Sequence, residues 1–126
     1  MNAEFSDNEL LFRAVWPPDV NDMYWKDIGK LSSAAFMDKN GVSVTRDGGR
    51  PLEKVIECMK TTFSGYLVSL KVLQCREVDA YVRYLPVPDN IFHSEIHGNE
   101  NKVALSKGQA RKLAACAKIE YSLQII

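Results

Sequence analysis

Both histidines of the chain fall in one heptapeptide, FHSEIHG at residues 92–98, with Glu95 midway between His93 and His97. Side chains alternate along a strand, so in an extended segment His93, Glu95 and His97 share one face and Phe92, Ser94 and Ile96 take the other. Imidazole is the side chain that titrates nearest neutrality, which suits His93 to proton transfer with Glu95 as its orienting carboxylate. The plainer reading is a polar, solvated strand face. Metal chelation fits poorly: at a rise of about 3.4 Å per residue the two histidines stand about 14 Å apart at Cα. Zinc binds nitrogen at about 2 Å. His93 and Glu95 are therefore the candidate catalytic pair, and no metal site is expected.

A second group of polar residues interrupts apolar stretches: Arg13 within LLFRAV, Ser32 and Ser33 at the head of SSAAF, and Ser43 with Thr45 in VSVT. A partly buried arginine offers a planar fork to phosphate or carboxylate, and nearby hydroxyls supply further hydrogen bonds. Arg13, Ser32, Ser33, Ser43 and Thr45 are accordingly the candidate ligand-binding residues. The plainer alternative has Arg13 reaching out to solvent and the serines capping turns. DGGR at residues 47–50 precedes a predicted helix but lacks the phosphate-loop signature, so it is read as a turn. Trp16, Tyr24 and Trp25 frame a long loop and can either stack a base or close the edge of the core.

These residues need elements to position them. ELLFRAVW, residues 9–16, has strand composition and is stopped by Pro17 and Pro18. The stretch to Leu31 lacks a sustained period and predicts a loop with one helical turn around Asp22 to Lys26. Asn40-Gly41 between two β-compatible runs predicts a hairpin over residues 33–46, with Val42 and Val44 facing the core. Leu52, Val55, Ile56, Met59 and Phe63 recur at helical spacing behind Pro51, predicting a helix at about 52–63. Residues 65–73 predict a half-buried strand, CREVDAYVRYL reads as strand or short helix, and IFHSEIH reads as a strand. Ser106 is placed to cap a helix at about 107–119 whose Ala110, Leu113, Ala114 and Ala117 form a stripe of small residues. A terminal strand in YSLQII completes the reading. The class expected is α+β: a mixed or antiparallel sheet with the hairpin at 33–46, covered by two helices, in a single domain spanning 1–126.

Composition narrows the setting. Sixteen basic and sixteen acidic side chains cancel over 126 residues, leaving no excess positive charge to hold a polyanion, so duplex nucleic acid is disfavoured. Apolar runs are far shorter than the roughly 20 residues of a membrane span. The acidic N-terminal stretch is unlike a signal peptide, so the expected location is cytoplasmic with no membrane partner. Cys58, Cys75 and Cys116 are widely spaced and are read as core thiols.

In LFRAV, SSAAF-x4-GVSV and H-x3-HG, taken in that order, the chain resembles a group of small bacterial and phage proteins to which no biochemical role attaches. That pattern covers Arg13, Ser32, Ser33, Phe36, Ser43, His93 and Gly98 and leaves Glu95 outside. More distantly, Arg13, Ser43 with Thr45, and Glu95 are similar in order to the motifs of the ADP-ribosyltransferase and RES-toxin class, which implies an enzyme acting on NAD or a nucleotide.

The function expected is a small cytosolic binding or accessory domain that recognises a phosphate-bearing, nucleotide-like molecule or a protein partner. No cofactor is called for, and homo-oligomerisation is left open. The alternatives are the NAD- or nucleotide-acting enzyme just named and a purely structural interaction subunit that works through its aromatic loop. A nucleotide binder or enzyme needs Arg13, Ser43 and His93 in one concave pocket.

Overall fold

The computed structural model describes residues 3–122. Six strands form one sheet in the order β6-β7-β4-β1-β5-β8: β1 Leu10–Val15, β4 Val42–Arg46, β5 Tyr66–Lys71, β6 Tyr81–Tyr84, β7 His93–His97 and β8 Lys118–Tyr121. Every pairing is antiparallel. A separate ribbon joins β2 Trp25–Asp27 to β3 Lys30–Leu31. Helices α1 Leu52–Thr62, α2 Val72–Glu77 and α3 Lys107–Cys116 complete the α+β fold.

The centre of the sheet is buried on both sides, which explains its continuous apolar runs. On one face Leu11, Val15, Val42, Val44, Val68, Leu70 and Ile96 meet the residues of α2, α3 and a 3-10 turn at Ser33–Phe36. On the other, Phe12 and Leu67 meet Val55 and Met59 of α1. Alternation decides this division: Phe12 lies opposite Thr45, so Phe12, Thr45 and His93 form a row across β1, β4 and β7 on the α1 side. Helix α1 covers the β1 and β5 end of that side, and the β4, β7 and β6 end carries Ser43, Glu95 and Arg83 in the next row.

The predicted hairpin at 33–46 does not form. Ser33–Phe36 winds into the 3-10 turn, and β4 takes β1 and β7 as its neighbours. Alanine is a weak strand former, and the turn is held from outside, because Arg13 Nε donates to the Ala35 carbonyl at 2.7 Å while Phe36 is fully buried. The Asn40-Gly41 turn does exist, with Gly41 at φ +103° and the Asp38 carboxylate accepting from Asn40 N, but it joins a turn to a strand. Val42 and Val44 face the core as expected.

Three helices, not two, cover the sheet. The ambiguous segment CREVDAYVRYL, residues 75–85, divides between the end of α2 and β6, with Asp79 at φ +60° at the bend between them. Strand β5 is buried on both faces over Leu67–Leu70 instead of half-buried, and Val72 belongs to α2. The long loop contains the expected turn at Asp22–Tyr24 and also the unforeseen β2–β3 ribbon. Helix α3 ends at Cys116, three residues short of the predicted boundary, because residues 118–121 pair with β5 as β8. Its start is as expected: Ser106 Oγ accepts from Gln109 N while Gln109 Oε1 accepts from Ser106 N. Residues 123–126 of the predicted terminal strand lie outside the described residues. Only Cys75 of the three cysteines is buried; Cys58 and Cys116 are exposed.

Candidate functional site

Strands β1 and β4 pair over only two positions, Leu11 with Arg46 and Phe12 with Thr45, and then part. An opening of about 350 Å³ begins where the ladder stops, between these strands and the C-terminal half of α1. Arg13, Ser43, Thr45, Asn90 and His93 all line it, with Trp16 and Phe63 among its apolar residues and no carboxylate among its lining. It runs into a second cleft of about 620 Å³ that shares Thr45, Met59, Thr62, Phe63, Asn90 and His93 and adds Arg50, Glu57 and Asp89. His93 stands at the junction.

The orientation of His93 is fixed. Its Nδ1 lies 2.8 Å from the Leu85 carbonyl, which can only accept, so Nδ1 carries the proton. In the neutral ring Nε2 is then the unprotonated nitrogen and is left to accept a proton or a hydrogen bond. Asn90 organises the adjoining wall: its Nδ2 donates to Thr45 Oγ1 at 3.1 Å and its Oδ1 accepts from Phe92 N at 3.0 Å. The Thr45 hydroxyl proton remains available to a ligand, since a hydroxyl both accepts and donates. Arg50 stacks on Phe92, with its guanidinium carbon 3.4 Å from the ring centroid.

Arg13 starts from the far face of the sheet by alternation and fills the seam between the parted strands. Nε donates to the Ala35 carbonyl at 2.7 Å and one terminal nitrogen to the Ser43 carbonyl at 2.8 Å, leaving the other terminal nitrogen without a partner among the described residues. Burial lowers its pKa, an effect opposed by Asp38 and Tyr24 nearby. Two of its donors are thus structural.

The remaining expected residues go elsewhere. Glu95 does not orient His93. Its Oε1 accepts from His97 Nε2 at 2.8 Å, and the pair lies against Gly41, where an added Cβ would collide with the Glu95 carboxylate. Glu95 lines neither cleft. Ser32 donates to the Met23 carbonyl at 2.6 Å and, with Ser33, lies beside α3 in a third cleft. Of the residues singled out in the sequence, Arg13, Ser43, Thr45 and His93 come together, whereas Ser32, Ser33 and Glu95 do not join them. Asn90 was not among those residues. Its signal was present in PDN, a turn tripeptide just ahead of the strand that begins at His93.

Among the described residues no group of three or more His, Cys, Asp or Glu side chains is placed to hold a metal ion. No helix among them is long and apolar enough to cross a membrane. No protein-family model, curated protein or solved structure matches the chain. Fold and site together define an α+β domain with an open, hydroxyl-rich cleft beside its central strands.

Proposed function

We propose that the protein binds a phosphate-bearing, nucleotide-like small molecule in the opening between β1 and β4. One observation carries this reading: Arg13, Ser43, Thr45 and His93, whose Nε2 is bare, border one concavity that no carboxylate lines. Phosphate oxygens accept hydrogen bonds, and a site without competing acids favours them. Trp16 and Phe63, 49% and 42% exposed, supply flat apolar surface for a base. The volume of this opening, about 350 Å³, falls in the range of ligand pockets, about 300–1,000 Å³.

The test is a thermal-shift screen against NAD, ADP-ribose, mononucleotides and cyclic nucleotides, using wild type, Ser43→Ala and His93→Ala. A ligand at about 100 times its dissociation constant stabilises the fold by about 2.7 kcal/mol. The reading predicts a shift that both substitutions reduce. A protein that none of these compounds stabilises does not have this function, and a protein partner becomes the better reading.

The lock on His93 favours a second reading, an enzyme in which Nε2 takes a proton from the bound molecule. That reading rests on His93 alone, since Glu95 is engaged with His97. Chromatography of NAD and nucleotides after incubation tests it: turnover lost in His93→Ala supports catalysis, and unchanged substrates refute it for these compounds.

A further inference from the structure

On the opposite side of the sheet from His93, a cleft of about 450 Å³ lies between the β2–β3 ribbon and α3. Lys26, Lys30 and Arg111 line it, and no acidic residue does. None of the three is in an ion pair among the described residues. In a chain of zero net charge, three uncompensated cations around one concavity form a local positive field. Ser32 and Ser33 add hydroxyls to the wall, while Leu31, Ala114, Ala117 and Ile119 give it apolar surface. Low-polarity walls strengthen the attraction that such charges exert on an anion.

We infer that this cleft is a phosphate-monoester site, with Lys26, Lys30 and Arg111 supplying charge, Ser33 a hydrogen bond, and the apolar wall a seat for the ester's carbon arm. A doubly charged group matches three cations better than a single carboxylate does, and the planar guanidinium of Arg111 can grip two of its oxygens at once. The monoester has two natural sources, a soluble metabolite or a lipid headgroup. Ile28, at the turn of the ribbon beside Gly29 of the cleft, is 95% exposed. An isoleucine so placed next to basic side chains is suited to enter the interface of an anionic lipid surface. The site is separate from the β1–β4 opening, and its test is independent of the function proposed there.

The experiment titrates the full chain with phenyl phosphate at constant ionic strength while recording amide NMR shifts. In parallel, the chain is sedimented with phosphatidylcholine vesicles with and without phosphatidic acid. Wild type is compared with Lys30→Gln/Arg111→Gln and with Ile28→Ser, all exposed positions whose replacement should leave the melting temperature unchanged. The site predicts saturable shifts confined to residues 26–33 and 107–119 or vesicle binding that requires phosphatidic acid, in either case weakened about tenfold or more by the double substitution. Vesicle binding lost in Ile28→Ser identifies a lipid source; phenyl phosphate binding without vesicle binding identifies a soluble one. The inference is overturned if neither probe binds, or if the double substitution leaves binding unchanged.

Discussion

The Arg13 guanidinium donates to the Ser43 carbonyl at 2.8 Å, just beyond the point where the backbone pairing of β1 and β4 has ended. A side chain thus takes over a carbonyl at a strand edge that β1 no longer reaches. The same guanidinium holds the Ala35 carbonyl, so one residue tethers the 3-10 turn to the seam and keeps the neighbouring opening from closing into a continuous sheet. The bonds that fix two of its donors also fix the position of the remaining terminal nitrogen.

Replacing Arg13 should therefore cost stability before it costs binding. Hydrogen bonds from a charged donor contribute about 1.5–3 kcal/mol each, and two are lost. Arg13→Ala is expected to lower the unfolding free energy by about 3–6 kcal/mol in urea titrations. Arg13→Lys should recover less than half of that, because an ammonium cannot reproduce the fork. A loss smaller than about 0.5 kcal/mol would show that water satisfies both carbonyls equally well.

This duality explains what could be read from the sequence. Strand β1, helix α1 and the capped start of α3 were legible because each is specified by its own residues: the run stopped by Pro17, the apolar spacing from Leu52 to Met59, the Ser106 and Gln109 pair. Residues 32–39 were not, since Asn40-Gly41 is a hairpin signal only if both flanks are strands, and the fate of the first flank is decided by Arg13, distant in the chain. Glu95 parts from His93 for a related reason. Alternation places it equally between His93 and His97, and the choice falls to the Leu85 carbonyl that occupies His93. Local pattern gives a residue its face; long-range contacts give it its partner.

The buried Arg46 makes a sharper stability prediction. Arg46 forms two bonds of 2.7 Å to the carboxylate of Glu9, and Glu9 also accepts from Gly48 N at 3.0 Å. The Arg46 guanidinium lies 4.0 Å from the Phe5 ring centroid. Removing one partner of a buried ion pair costs about 3–5 kcal/mol. Glu9→Gln is expected to fall in that range. The paired replacement Glu9→Leu/Arg46→Met should be less destabilising than Glu9→Gln alone, which a double-mutant cycle by chemical denaturation would reveal. If the single change were the milder one, the pair would not behave as a buried ion pair.

Cys75 provides a pH signature. Burial pushes its thiol up to about 12, assisted by Cys116 and opposed by Arg76. The unfolded chain releases this proton from about pH 8.5, whereas the folded chain keeps it until about 12. The resulting stabilisation is fully present below about 8.5 and is lost as pH rises through that window, with a slope of at most about 1.4 kcal/mol per pH unit. Cys75→Ala should remove that component, seen as a flatter stability curve relative to wild type in alkaline buffers. Iodoacetamide should modify exposed Cys58 in the native protein and Cys75 only after denaturation. Modification of Cys75 at the same rate in both states would contradict its burial.

His93 offers the most direct test of whether the cleft is built for chemistry or for binding. Because Nδ1 is committed to the Leu85 carbonyl, nitrogen NMR of the neutral ring should show Nδ1 protonated and Nε2 bare. His97 should show its proton on Nε2, held by Glu95. A ligand that donates a hydrogen bond to His93 will shift chiefly the Nε2 resonance, whereas one that loses a proton to it will convert the ring to imidazolium and bring both nitrogens to the protonated position. The substitution His93→Asn discriminates the same two cases chemically. Its carboxamide keeps a hydrogen-bonding group in the cleft but cannot accept a proton near neutrality. Binding that survives in this variant with turnover abolished marks a general base; equal retention of both would remove His93 from the chemistry.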